Sequence, residues 1–573
     1  MADKITVAGA LRELGMLLEV QGENPFKVRA YETGARALEE LPGDLDEVIA
    51  AGTLIELPGI GKALAAKIEE LARTGRLELL DRVRGQLPAG IGELLRIPDL
   101  GPKKIAALHA ALGIGGVDEL AAACRDGRVR EIKGFGEKTE KKILEGIHRM
   151  RTAATRFRLS DAREIGYGLV RLLRATGAAD RVELAGSARR WKETVGDLDI
   201  VASSVEPARL SDALAAAPGV EAVVAKGETK TTVRLAGGLS VDLRVVPPAE
   251  YASLLHHMTG SKEHNVRLRG LARDLGFTLS EWGLERLDGG GKVPIHAEEE
   301  VYRALGLQPI PPELRQDSGE IEAAREGRLP SDLVTLEDVK GMVHVHTSWS
   351  DGRASLEEMA RAAEDMGMEY LTVTDHSRSA AYAGGLDVAR LEAQWEEIAR
   401  VQEKVGIRLL RGTEADILET GALDWPDAVL EKLDVIVASV HSRMKMDEQQ
   451  MTRRMIRMLE LPVFKIWGHA TGRLLLEREP YGLDMEKVLD AAAGSRVAIE
   501  VNGDPHRLDM EPRHLRLARE RGIPLVLSTD AHSVAGLQNL PYAVMTARRG
   551  WVTRSEVLNT LPASEFAARV RPG

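Results

Sequence analysis

The spacing of apolar positions changes character twice along the chain. Through roughly the first 150 residues, apolar side chains recur at helical intervals in short runs broken by glycine-containing turns, so short helices are predicted. From about 155 to 315, helical stretches mix with β-rich runs at Val182–Ala185, Asp199–Ala202 and Thr231–Val246, the last folded into a hairpin at Gly237-Gly238. A loop marked by Pro309, Pro311 and Pro312 follows, then a polar segment to about Val339. From Gly341 onward seven short apolar strands alternate with helical stretches, which predicts a parallel α/β fold, closed or nearly closed.

Composition changes this picture little. A chain of 573 residues, 44% hydrophobic and 29% charged, has the length for several domains and the apolar content for sizeable cores. Cys124 is the only cysteine, so no intrachain disulfide can form. Met1–Ala10 lacks the pattern of a secretory signal and no apolar run is long enough to span a bilayer, so a cytoplasmic protein with no membrane partner is expected. The net charge of -11 argues against a nucleic-acid partner only until it is divided. Residues 1–150 carry 22 basic and 24 acidic side chains, 151–331 carry 25 and 26, and 332–573 carry 30 and 38. The acidic excess therefore sits mostly in the last segment, and the first two permit local basic faces.

The first region repeats one pattern three times: Leu57-Pro58-Gly59-Ile60-Gly61-Lys62, Ile97-Pro98-Asp99-Leu100-Gly101-Pro102 and Ile132-Lys133-Gly134-Phe135-Gly136-Glu137. Each ends one helical stretch and opens another. Glycine lets the backbone turn tightly and approach a partner, and the N–H groups opening the second helix can cradle a phosphate without reading base identity. These units resemble helix-hairpin-helix motifs, which hold DNA by its backbone; the middle copy has Asp99 where the others have glycine.

In the second region, Gly186-Ser187 precedes Asp197-Leu198-Asp199. On a strand, Asp197 and Asp199 point to one side and repel each other unless cations lie between them. Asp242, in a second strand-like run, supplies a third carboxylate. Three such groups can hold two Mg2+ or Mn2+ ions, while Gly186, Ser187 and Arg190 offer donors to a triphosphate. In the third region the strand-like segments end in His344-Val345-His346, His376, Glu414, His441, His469, Glu500 with Asn502, and Asp530-Ala531-His532, with Asp351 in the first loop. Strand C-termini of a parallel barrel converge on one rim, and this mixture of nitrogen and carboxylate groups suits Zn2+, Mn2+ or Fe2+ rather than Ca2+.

The middle constellation matches the nucleotidyltransferase pattern, and its flanks resemble the family X DNA polymerases over about residues 1–320. The match runs through Thr259-Gly260-Ser261, Asn265, Arg269, Gly276-Phe277-Thr278-Leu279 and Trp282-Gly283-Leu284. The resemblance implies Asp197, Asp199 and Asp242 as catalytic carboxylates. Gly186, Ser187, Arg190, Gly196, Thr259, Gly260, Asn265 and Arg269 would surround the nucleotide and nascent pair. His257-Met258 stands where eukaryotic relatives have Tyr-Phe, and Val195 where many members have serine beside the triphosphate. Phe26–Tyr31 and Ala63–Glu69 resemble the small lyase domain of that family. That resemblance puts Lys67 at the Schiff-base position and Lys27 and Tyr31 at a 5′-phosphate site; the residues alone equally allow a surface lysine on a DNA-binding helix. The histidine-rich segment resembles the PHP domain, a distorted seven-stranded (β/α) barrel with a three-metal site. On that resemblance His344, His346, Asp351, His376, Glu414, His441, His469, Asp530 and His532 are ligands, and Glu500 and Asn502 support them.

The whole order resembles bacterial and archaeal PolX. It implies a multidomain chain: a lyase-like helical domain at 1–85, a second helix-hairpin-helix domain at 86–155, an α+β nucleotidyltransferase palm with its nucleotide-binding subdomain at 156–315, a linker at 316–339 and the PHP barrel at 340–573. The expected protein is a monomer that fills short gaps in 5′-phosphate-containing DNA with dNTPs. Its PHP domain would degrade 3′ ends and act at abasic sites, and the front domain would remove 5′-deoxyribose phosphate. The competing expectation is a small-molecule phosphatase behind a non-catalytic DNA-binding half.

Overall fold

The computed structural model describes residues 4–39, 45–57, 59–95, 97, 100–154 and 156–573. The chain divides near residue 154 into two compact units.

The first unit is helical, from Lys4–Val20 to Glu137–Ala154. A single apolar core runs through it: Leu11, Leu14 and Ile68 belong to the same buried cluster as Ile105, Leu108, Leu120 and Ile147. The buried cluster is continuous across the expected boundary at 85/86. The glycine turns share one geometry. Ile60 N–H donates to the Leu57 carbonyl (3.1 Å), Leu100 to Ile97 (3.2 Å) and Phe135 to Ile132 (2.9 Å). Ile60, Leu100 and Phe135 are each buried, so the residue between the two outer positions of the turn anchors it in the core. Asp99 lies outside the described residues.

The second unit begins with a five-stranded sheet. Its order is Arg181–Leu184, Asp197–Ser203, Ser240–Val246, Lys230–Leu235 and Val220–Lys226, with only the Asp197–Ser203 and Ser240–Val246 pair parallel. Helices Leu159–Ala175 and Pro207–Ala215 bury Leu169, Leu173, Leu210 and Leu214 in the same core as the strand residues Leu198, Ile200, Val241 and Leu243. The Gly237-Gly238 turn, with φ of 83° and 89°, joins two antiparallel strands as expected. A small antiparallel sheet, Phe277–Ser280, Gly283–Arg286 and Lys292–Val293, follows helices Tyr251–Thr259 and Lys262–Asp274.

The segment expected as a linker at 316–339 is folded rather than extended. It forms the helix Glu320–Arg325 and buries Ile321, Ala324 and Val334. Glu320, fully buried, accepts from His264 Nδ1 at 2.7 Å. Glu320 also accepts from the N–H groups of Asp317 and Ser318, so a polar side chain of this segment is satisfied inside the protein.

The last part is a seven-stranded parallel sheet in sequential order, starting at Gly341–Val345 and ending at Leu525–Ser528. Its strands are buried on both faces, which is why they read as unbroken apolar runs. The sheet closes on itself at one rim, where His346 N–H donates to the Ala531 carbonyl at 2.9 Å. At the opposite end the buried Asn559 joins the first and last strands, donating to the carbonyls of Gly341 (3.0 Å) and Leu527 (2.8 Å). No single described helix is long and apolar enough to cross a membrane.

Candidate active sites

In the helical unit, Gly61 and Gly101 immediately precede helices Lys62–Thr74 and Pro102–Leu112, and Gly136 precedes Glu137–Ala154. Gly59 and Gly134 have φ of 84° and 93°, a region that other L residues adopt at a cost. Lys67 lies half-buried on the first of these helices, with Nζ donating to the Ala63 carbonyl at 3.0 Å. Lys27 is exposed and paired with Glu23 at 2.7 Å. Tyr31 is buried in the core, and that burial pushes its phenol up.

The sheet of the second unit brings the three aspartates together. Asp197 and Asp199 alternate on one strand, and Asp199 is the register partner of Asp242 on the parallel neighbour. Gly186, at φ 57°, presses the preceding turn against them: a Cβ there would lie 2.1 Å from Asp199 Oδ2. Only glycine lets this turn approach so closely. Asp242 accepts from Thr232 Oγ1 at 2.6 Å and pairs with Lys230 Nζ at 3.0 Å. Burial, then the neighbouring Asp197 and Asp242, push the Asp199 carboxyl up to about 7. A site that raises a carboxyl in this way is one that a cation relieves.

That shift gives a pH prediction. Metal binding must displace the Asp199 proton below about pH 7 and need not do so above it. The Mn2+ concentration that half-saturates this site, followed by calorimetry or electron paramagnetic resonance in a chain lacking the PHP ligands, is expected to rise by up to about tenfold per pH unit below 7. Half-saturation that stays constant between pH 6 and 8 refutes it.

The residues expected around the nucleotide divide into two sets. Ser187 is half-buried next to Gly186, and Gly196 immediately precedes Asp197. The others are engaged by the protein itself. Arg190 Nη1 donates to the Thr259 carbonyl, and burial, then Arg549, bring its guanidinium down to about 10. Thr259 is fully buried; its hydroxyl donates to the Leu255 carbonyl and accepts from Arg189, which also grips Glu298 with both Nη atoms at 2.9 and 2.6 Å. Gly260 ends this helix at φ 69°. Asn265 donates to the His257 carbonyl at 2.8 Å, and the exposed Arg269 donates to the Asn265 carbonyl at 3.2 Å. Val195 is buried in the core.

At the open rim of the barrel the histidines surround Glu414. His376 Nδ1 and His469 Nε2 lie 2.9 Å from its oxygens, and His344 Nε2 and His441 Nε2 lie 3.3 Å away. Asp530 is 3.3 Å from His346 Nε2, and Asp351 is 3.3 Å from His532 Nε2. These groups form three overlapping sets whose ligand atoms lie within 4.8 Å of one another: His346, Asp351, His376 and His532; His344, His346 and Asp530; His376, Glu414 and His441. His344 Nε2 and both ring nitrogens of His346 are buried and make no hydrogen bond, although carboxylates are near. Nitrogens aimed past each other at a shared point suit cations. Burial, then His532 and His376, hold the His346 imidazole down to about 3, which keeps it neutral. His344, His469 and Asp530 adopt φ of 61°, 23° and 51°. Such strain at non-glycine residues is sustained by surrounding structure and concentrates at functional sites.

Strand alternation does not pair His344 with His346 or Asp530 with His532. The first strand shifts register between Met342 and Val345, and Asp530 and His532 lie beyond the last strand, which ends at Ser528. Left-handed residues bring each pair together instead. The expected supports are present: Glu500 accepts from His344 Nδ1 and from the His469 N–H, and Asn502 Nδ2 lies 3.2 Å from Asp530 Oδ2. Three further residues escaped the sequence reading. Asp416 holds His441 Nδ1 at 3.2 Å. Asp375 accepts from Thr347, Ser350 and Gln394 and so fixes the loop carrying Asp351. Arg507 Nε lies 3.2 Å from Asp530 Oδ2, and its Nη1 is buried without a hydrogen bond. Strand periodicity from Glu414 points to Asp416; Arg507 sits in a loop and leaves no periodic signal.

Comparison with known proteins matches residues 3–77 to a helix-hairpin-helix domain and 91–149 to a SAM-like helix-hairpin-helix tandem. Residues 254–316 match the DNA polymerase beta thumb, and 343–503 match the PHP domain. Over 561 residues the chain is 36% identical to the DNA polymerase/3′-5′ exonuclease PolX of Bacillus subtilis (strain 168), covering 97% of each chain. It is 29% identical over 230 residues to a probable phosphatase of Thermoanaerobacter sp. (strain X514), covering 38% of this chain and 89% of that one. A probable phosphatase of Caldanaerobacter subterraneus subsp. tengcongensis is 30% identical over 207 residues, or 33% and 74% of the two chains.

Proposed function

The chain belongs to the PolX family, family X DNA polymerases joined to a PHP domain, and we propose that it fills short gaps in DNA and trims 3′ ends at a second site. The observation that carries this reading is the presence of two metal-ready clusters in one chain, the aspartate trio against the Gly186 turn and the histidine ring around Glu414.

At the first cluster, Mg2+ or Mn2+ would be held by Asp197, Asp199 and Asp242. Bound there, such ions lower the pKa of a primer 3′-hydroxyl and neutralise the leaving pyrophosphate. The backbone around Gly186, Ser187 and Gly196 presents N–H donors to the triphosphate. Arg190, Thr259 and Gly260 would shape the floor of the nucleotide site, because the Arg190 guanidinium donates to the Thr259 carbonyl and the Thr259 hydroxyl is taken up by Arg189 and Leu255. Asn265 and Arg269 face the nascent pair. At the second cluster, His344, His346, Asp351, His376, Glu414, His441, His469, Asp530 and His532 would hold Zn2+ or Mn2+, up to three ions. Bound there, the ions supply Lewis acidity and an activated water for phosphodiester hydrolysis. Glu500 and Asp416 fix the tautomers of His344 and His441, and Asp375 fixes the loop of Asp351.

The glycine turns hold the DNA backbone. Lys67 is offered as the lyase nucleophile with Lys27 at the 5′-phosphate; the burial of Tyr31 leaves that residue a packing role. Such a protein works as a monomer in the cytoplasm, on gapped DNA and dNTPs. The phosphatase alternative receives no support beyond the barrel, since the relatives named as phosphatases cover at most 38% of the chain.

One substrate tests all three activities: a gapped duplex bearing a 5′-deoxyribose phosphate. With dNTPs and Mn2+ the gap is filled; without dNTPs the 3′ end is shortened; with borohydride a covalent adduct forms that Lys67→Ala loses. Absence of both synthesis and degradation overturns the proposal, and undiminished trapping by Lys67→Ala removes the lyase assignment alone.

A further inference from the structure

Residues 190–196 connect the Gly186-Ser187 turn to the Asp197–Ser203 strand; Thr194–Val195 pairs with Phe157–Arg158, and Trp191 and Glu193 are held in addition by the barrel. Lys192 N–H closes the turn onto the Ser187 carbonyl at 3.0 Å, and the Glu193 carbonyl accepts from Leu159 N–H at 3.1 Å. Just before them Trp191, at φ 56°, lies edge-on to Tyr542 with centroids 5.5 Å apart, and the Arg163 guanidinium covers its ring at 3.6 Å. The Glu193 carboxylate is 3.0 Å from Arg549 and 3.9 Å from Arg473. Tyr542 and Arg549 lie on the helix Leu540–Arg549, and Arg473 follows the barrel residue His469 by four positions. Glu193 is 17% exposed, Arg473 7% and Arg549 5%, so water screens this cluster weakly. Removing one partner from a buried ion pair leaves the others uncompensated. Against the cost of burial, Arg549 and Arg473 hold Glu193 down to about 2.

We infer that Glu193 is a positioning residue for nucleotide binding: clamped by Arg549 and Arg473 of the barrel, it fixes the loop that closes on Ser187, so the PHP domain completes the polymerase's nucleotide site. The inference rests on assigning polymerisation to the aspartate trio. The loop controls the turn, whereas Asp197, Asp199 and Asp242 are held by strand pairing. Loss of the clamp should therefore weaken nucleotide binding more than the chemical step.

The test uses the full chain and gapped DNA. Glu193→Gln and Arg549→Met are each expected to raise the KM for dNTP about tenfold with kcat changed less than about threefold, and the double variant to be no worse than either single. Arg549→Lys should recover part of the loss. The 3′-end degradation of the same preparations and their Tm report folding. Unchanged KM in both single variants overturns the inference. So do additive effects, or a parallel fall in synthesis, degradation and Tm, which marks a role in general stability. Asp197→Ala is the control: if it still polymerises, the assignment of the polymerase site has failed, independently of Glu193.

Discussion

Replacing Asp197 and Asp199 together by alanine is expected to lower gap filling by about a thousandfold or more, because cation stabilisation of the developing charge is worth several kcal/mol. Degradation of 3′ ends by the same variant should stay near wild type, since the barrel ligands lie on different strands. A second consequence separates a metal site from a structural carboxylate pair. Burial, with repulsion from Asp197 and Asp242, raises the Asp199 carboxyl to about 7, above its unfolded value. A raised carboxyl favours the folded state only while it is protonated; that contribution is complete below the unfolded pKa and is lost as pH rises through about 7. At pH 8 without metal the charged Asp199 therefore opposes folding. Asp199→Asn should raise the Tm of the metal-free chain at pH 8, by less at pH 5, while abolishing synthesis. A variant that loses Tm at pH 8, or that still fills gaps, contradicts the assignment.

The same three aspartates were the most legible feature of the sequence, and the reason is physical. Strand alternation fixes Asp197 relative to Asp199, and glycine at 186 is required by a 2.1 Å approach that no other residue survives. The seven barrel strands were legible because parallel strands buried on both faces are apolar throughout. Their ends were less so. The third barrel strand continues past Glu414 to Asp416, because Thr413, Glu414 and Asp416 are polar residues buried inside the strand. The strand Val220–Lys226 escaped altogether: it is a mostly exposed edge, and two register irregularities break its alternation.

What the sequence could not disclose is chiefly long-range pairing. Glu193 meets Arg549 across more than half the chain, and nothing local distinguishes it from any charged loop residue. His264 with Glu320 is a similar case, and it converted an expected linker into packed structure. The nucleotide-side residues show the converse. Arg190 donates to the Thr259 carbonyl and the Thr259 hydroxyl accepts from Arg189, so the motif names these residues without identifying where their side chains point.

The second large effect is expected at the barrel, and the overlap of its ligand sets makes it graded. His346 belongs to two of the three sets, together with Asp351, His376 and His532 in one and with His344 and Asp530 in the other. His532 belongs to one. His344→Ala/His346→Ala is therefore expected to abolish 3′-end degradation, by about a thousandfold or more on the scale of a lost catalytic metal. It should also lower bound metal, measured by mass spectrometry of dialysed protein, further than His532→Ala does. Gap filling should survive in both, apart from any change transmitted through Arg507, Arg473 and Glu193. Arg507 bonds to Asp530, and its carbonyl accepts from Arg473 at 2.9 Å, which reaches Glu193. Equal metal content in the three proteins, or degradation untouched by the double substitution, would mean that the buried histidines serve packing alone. Packing alone does not account for both ring nitrogens of His346 lying buried without a hydrogen bond, since each such nitrogen carries a desolvation cost that a bound cation would offset.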